Sequence, residues 1–256
     1  MFDWLFPPTC PCDPSAKNWV EERLEWLATE FDDNAFNGRP VVLPTPEFFP
    51  DPFDGSKKAV RKMLDRVCGY MDVVPDLVSL KMVLNAGKIG LVNEHGDAMP
   101  DAAGTYQESD RKFIISIDKS DLDRPMDLVG TIAHELAHVR LMGENRILSD
   151  AYDNELLTDL TVVHFGLGLF LANVPRNYRS QNTKWPESGL IKPEYMTPPM
   201  YGWALAHLAW FRNEDKPAWT RYLNLAAKAN YKQAFRYLVA NKDSWYRPAR
   251  LRGRST

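Results

Sequence analysis

Five histidines occur in 256 residues, and two of them stand four apart in the run His134-Glu135-Leu136-Ala137-His138. An α-helix turns about 100° and rises about 1.5 Å per residue, so the two imidazoles lie roughly 40° and 6 Å apart, close enough to hold one ion. Glu135 falls about 100° from the first and about 60° from the second. It therefore points past the ion, towards where a bound water sits, which is the place of a base and not of a third ligand. With thirteen Glu and five His in the chain, random placement produces this pattern with a chance of roughly 0.5%. Composition does not explain it, and the chemistry implied is hydrolysis at a metal. His164, which has no such partner in the sequence, reads as a hydrogen-bonded core residue.

A tetrahedral catalytic zinc takes three protein ligands and keeps the fourth position for water, so one more donor is needed. The run Asn154-Glu155-Leu156-Leu157-Thr158-Asp159 opens the next apolar segment. Glu155 and Asp159 share a helical face. One can ligate the metal while the other accepts the distal N–H of a ligating histidine and fixes its tautomer.

H-E-x-x-H followed by N-E-x-x-x-D on the next helix resembles the gluzincin, thermolysin-like branch of the zincin metallopeptidases. The resemblance covers about residues 110–173. It implies one zinc per chain on His134, His138 and Glu155, Glu135 as general base, Asp159 as the outer partner of His134, and a peptide or protein substrate. In the metzincin branch the third ligand lies six residues after the second histidine, at Glu144 here; that branch also has Gly and His where this chain has Leu141 and Glu144. Glu155 is the preferred ligand, and Glu144 reads as a solvated charge. Gluzincins close the cleft with a downstream helical part that donates His or Tyr to the oxyanion, which makes Tyr201 and His207 candidates, with Tyr152 another; each also reads as a packing aromatic. A binding or scaffold protein that keeps zinc for stability is the alternative function. A di-iron protein needs a second E-x-x-H, and the sequence has none.

The elements that must position these groups follow from periodicity. Val129, Ile132, Ala133, Leu136 and Arg140 run down one face of the metal-binding helix, with Pro125 suited to its start and Gly143 to its stop. A second helix is expected over roughly 154–173, apolar on nearly all sides, with Gly166 and Gly168 allowing close approach of another element. Short strands are expected at Val78–Leu84, Ile89–Val92 and Phe113–Ile117; by analogy with zincins, residues Ala103–Ile117 border the cleft and pair with extended substrate. Upstream, Asp13-Pro14 opens a helix with the stripe Val20, Leu24, Leu27 and Phe31, and Ser56 caps another carrying Val60, Leu64, Val67 and Met71. Five prolines within 40–54 make an arm that is neither helix nor central strand. Residues 174–199 form a proline-rich loop long enough to act as a lid. Helices resume at Met200–Glu214, Ala218–Ala227 and Tyr231–Ala240.

The expected fold is α+β: a zincin-like core of small mixed sheet, metal-binding helix and second ligand helix, with N-terminal and C-terminal helical additions. The linear division is 1–54, 55–175 and 176–256. A net charge of −3 argues against nucleic acid as a partner, and Arg247, Arg250, Arg252 and Arg254 read as a solvated basic end. The first residues lack a secretory pattern and the longest low-charge run, Leu160–Pro175, is short of a membrane span. Cys10, Cys12 and Cys68 make no disulfide framework and no zinc-ribbon spacing. A cytoplasmic protein with no membrane partner is the consistent expectation.

Overall fold

The computed structural model describes residues 7–31, 35–83, 104–109, 112–174 and 183–248, and it is α+β. In chain order its regular elements are α1 (Pro14–Phe31), α2 (Ala35–Gly38), α3 (Lys57–Tyr70), β1 (Val78–Val83), β2 (Gly104–Ser109), β3 (Lys112–Asp118), α4 (Pro125–His138), α5 (Asn154–His164), α6 (Gly168–Asn173), α7 (Pro198–Phe211) and α8 (Leu225–Asn241). Leu84, the run Ile89–Val92, Ala103 and the arginines at 250, 252 and 254 lie outside the described residues. No described helix is long and apolar enough to cross a membrane.

The chain divides into two compact units that cut across the linear order expected from composition: 1–41 with 152–256, and 42–151. The reason lies in α1. The Asp13 carboxylate accepts the Ala16 N–H at 3.0 Å, capping a helix whose first residue, Pro14, has no N–H to lose. Its buried face carries Trp19, Val20, Leu24 and Leu27, and it packs on α5 and α7. Each of those aliphatic side chains contributes roughly 1.5–3 kcal/mol by leaving water. The N-terminal helix thus joins the C-terminal ones. Within the same unit α7 pairs extensively with α8, which starts where Asn224 accepts the Ala227 N–H at 2.8 Å. The helix expected over Ala218–Ala227 is instead a 3₁₀ turn at Ala218–Tyr222 followed by this cap.

The helix expected over 154–173 breaks into α5 and α6 because Gly166 turns the chain at φ +86°. A Cβ there would lie 2.4 Å from the Pro40 carbonyl oxygen. The position needs glycine for both its backbone angle and its neighbour.

In the second unit Ser56 caps α3 by accepting the Ala59 N–H at 3.2 Å, and the stripe Val60, Leu64, Val67 and Met71 is buried. The arm is held to that helix by Phe48 and Phe49 against Tyr70, whose hydroxyl donates to the Phe48 carbonyl at 2.7 Å. The sheet has the order β1-β3-β2. β1 runs parallel to β3 with Val78 opposite Phe113, and β2 runs antiparallel with Gly104 opposite Ile117. Ile115 and Ile117 of the central strand are buried, while α4 lies against α3 and β2.

His164, at the end of α5, is buried among Phe31, Phe36 and Phe165 at ring separations of 6.0, 5.9 and 5.6 Å. Neither ring nitrogen has a hydrogen-bond partner among the described residues, so it is a core histidine but not the hydrogen-bonded one expected. Burial, with the Arg39 charge beside it, pushes its pKa down to about 3. The folded chain therefore holds it neutral, whereas the unfolded chain takes up a proton below about 6.5. Stability from this group is complete above about 6.5 and falls as the pH drops towards 3. Chemical denaturation at pH 7 and pH 5 should show the parent losing about 2 kcal/mol more than His164→Leu; equal losses would contradict the burial argument.

Candidate metal centre

Helix α4 starts on Pro125 and buries Leu128, Val129, Ile132, Ala133, Leu136 and Ala137. The same helix carries His134, Glu135 and His138 into surroundings that leave them 6%, 4% and 6% exposed. The two imidazoles stand with ring centroids 4.8 Å apart and planes perpendicular.

After His138 the helix widens into a π turn over Val139–Gly143, in which the Glu144 N–H donates to the Val139 carbonyl at 3.1 Å. Gly143, expected as a simple helix stop, is required by its neighbour: a Cβ would fall 2.6 Å from the Phe113 ring. The Glu144 carboxylate is gripped by Arg140 at 2.5 Å and Arg146 at 2.7 Å, and Arg140 also donates to the Asp72 carbonyl at 3.2 Å. The residue at the metzincin ligand position is thus a strut of the turn.

Glu155 lies in the first turn of α5. His134, His138 and Glu155 each offer one ligand atom, and these atoms lie within 4.8 Å of one another. Ligands at zinc bond lengths of about 2.0–2.1 Å stand about 3.4 Å apart when tetrahedral. Two neutral imidazoles and one carboxylate also suit a divalent ion, and they leave a fourth position for water. Among the described residues this is the group of three His, Cys, Asp or Glu that could hold a metal.

Two carboxylates on α5 and just before it are tied to distant parts of the chain. Asp153 accepts the Trp19 indole N–H at 2.8 Å and Arg23 at 2.7 Å. Asp159 is fully buried and accepts the Met196 backbone N–H at 3.0 Å through Oδ2. Between these ties runs the described part of the stretch expected as a lid. Thr183 and Lys192 exchange two hydrogen bonds, at 2.8 and 3.1 Å, closing a short hairpin whose Trp185 lies 6.1 Å from the Trp19 ring. From 183 to 197 the stretch is a strap tied to α1 through Trp185 and to α5 through Met196; residues 175–182 lie outside the described residues. It sets Lys192 and Glu194 near Glu155, two charged residues that no spacing in the sequence marks. Burial pulls the Lys192 pKa down against the attraction of Asp153, Glu194 and Glu155, and burial with the Glu155 charge pushes Glu194 up.

The oxyanion candidates occupy different settings. His207 is fully buried, with Nδ1 against the Trp203 carbonyl at 3.0 Å and Nε2 against the Ser244 hydroxyl at 2.8 Å. Both nitrogens are committed within the α7 packing, and burial lowers its pKa to about 4. Tyr201 is buried on α7, whereas Tyr152 is half exposed.

Zinc titration of the metal-stripped protein should give about one ion per chain, with binding weakened at least about tenfold in His138→Ala and Glu155→Ala and unchanged in Glu144→Ala. Retention of parental affinity in Glu155→Ala would remove it from the ligand set. No family model matches the chain, and no curated protein or solved structure matches it.

Proposed function

We propose that this chain is a zinc-dependent hydrolase of peptide bonds, of the gluzincin kind. The reading rests on one observation: a ligand atom from each of His134, His138 and Glu155 falls within 4.8 Å of the others, with Glu135 next to the first histidine on the same helix. Zinc bound there supplies a Lewis acid and lowers the pKa of a coordinated water from about 9 to about 7.

The chain's own residues do the rest. His134 and His138 hold the ion from one helix face, and Glu155 completes the set from α5. Glu135, turned about 100° from His134, accepts the proton of the attacking water and passes it to the leaving amide nitrogen. Asp159 keeps Oδ2 on the Met196 N–H; its other oxygen is assigned to the distal N–H of His134, which holds that ring in the ligating tautomer. β2 is an edge strand among the described residues and lies against α4. Its outer backbone groups suit an extended peptide, which adds as a further strand and presents its carbonyl to the site.

The near-complete burial of both histidines also fits a protein that keeps zinc for stability alone, and turnover separates the two. Hydrolysis of a quenched-fluorescent peptide library should fall by about 10²–10⁴-fold in Glu135→Gln while about one zinc per chain is retained. Parental turnover in that variant would sink the assignment of the base, and zinc binding with no hydrolysis by the parent would establish the structural role.

A further inference from the structure

The dipeptide Asp-Gly occurs once in the chain, at Asp54-Gly55, on the turn that leads into α3. We infer that residue 54 is a site of self-modification, at which the Gly55 backbone nitrogen closes on the Asp54 carboxyl and water reopens the ring to leave isoaspartate.

Four features of the turn support this. Asp54 is exposed, so water reaches its carboxyl. Its Oδ1 accepts the Ser56 N–H at 2.9 Å, an Asx turn that folds the carboxyl forward and encloses the Gly55 nitrogen in the ring the hydrogen bond closes. The Gly55 N–H donates to no group among the described residues, which leaves that nitrogen uncommitted. Glycine also brings no Cβ to crowd the nitrogen, and it adopts the φ of +71° found here without strain. Asp51 is the contrast. It precedes Pro52, whose nitrogen has no hydrogen to give up, and its carboxylate pairs with Lys62 and Arg66, each at 2.9 Å.

In the first step the Gly55 nitrogen attacks the carboxyl carbon of protonated Asp54. The N–C bond forms, the C–O bond to the hydroxyl breaks, and that hydroxyl leaves as water with the proton the nitrogen gives up. The product is a five-membered succinimide. Water then adds to one of its two carbonyls. Addition at the side-chain carbonyl restores aspartate. Addition at the main-chain carbonyl breaks the original peptide C–N bond, frees an α-carboxylate and leaves the chain running through the former side chain. Nothing is oxidised or reduced, and the water lost in the first step is regained in the second.

Ser56, through its hydroxyl and its N–H, holds the Asp54 carboxyl below the ordinary carboxylate range. The reactive acid form is therefore scarce at neutral pH, and the rate rises as the pH falls. The same Ser56 caps α3 on the Ala59 N–H at 3.2 Å. Isoaspartate inserts a methylene into the backbone just before that cap and takes away the carboxyl that held the Ser56 N–H.

The full chain kept at about pH 5 in water enriched in heavy oxygen tests this. Digestion in ordinary water with trypsin and a glutamate-specific protease releases residues 48–57, in which Asp51 and Asp54 are the aspartates. Heavy oxygen should enter residue 54, with fragments from cleavage of the extra Cα–Cβ bond marking isoaspartate. The rate should lie within roughly tenfold of that in the urea-unfolded chain, which controls for detection. Asp54→Glu should lose the label, because its longer side chain has to close a six-membered ring, and uptake by the parent should slow at about pH 7. A residue 54 that stays unlabelled in the folded chain, uptake slowed by more than about tenfold on folding, or a label that persists in Asp54→Glu would overturn the inference. The outcome is independent of the zinc site, because residue 54 does not belong to it.

Discussion

Burying a carboxylate and two imidazoles on a helix whose other buried residues are all apolar is the constraint around which this chain is arranged. Moving an unpaired charge out of water costs far more than any single side chain of the core returns. Such groups survive inside a protein only where hydrogen bonds, an opposite charge or an ion compensates them. On α4 the apolar residues flank His134, Glu135 and His138 in every turn, so the helix is committed to the interior and carries the polar trio with it. The proposed divalent cation would make ligands of the imidazoles and add positive charge beside the glutamate.

The same logic extends to α5. Its candidate ligand, Glu155, stands between two aspartates that each close a long-range contact. Hydrogen bonds to charged groups contribute about 1.5–3 kcal/mol each. Those of Asp153 to Trp19 and Arg23, and of Asp159 to Met196, fasten residues more than thirty apart in sequence. They also limit how far the first turns of the helix can shift. A carboxylate that is to ligate needs such support, because a metal site an ångström too loose binds poorly.

Much of this was legible in the chain itself. Pro125, the apolar stripe and the histidine spacing define α4, and Ser56 defines the start of α3, because caps and periodicity act locally. Spacing left Glu155 and Asp159 open as the third donor, the family resemblance chose Glu155, and one of its oxygens lies within 4.8 Å of the histidine donors. What escaped depends on distant partners. The break at Gly166 is hidden in an apolar run, since its cause is the Pro40 carbonyl 126 residues earlier together with a left-handed backbone. The two-unit division escaped because α1 finds its partners in α5 and α7. Lys192 and Glu194 carry no motif; a strap fastened at Trp185 and Met196 places them. His207 looked like a proton donor by residue type and proves to have both nitrogens committed within the α7 packing.

The wide turn after His138 has a consequence for how this chain tolerates change in length. A π turn accommodates one more residue than an α turn, so the segment leaving α4 is out of phase with the segment entering it by about 100°. A helical wheel carried through from Pro125 would misplace everything beyond the second histidine. Removing any one residue between Val139 and Gly143 would restore the α-helical phase, swing Gly143 off the Phe113 ring and take Arg140 away from the Asp72 carbonyl. Val139, Leu141 and Met142 are thus locked in number more tightly than in identity, whereas Arg140 and Gly143 are held in identity as well by their neighbours.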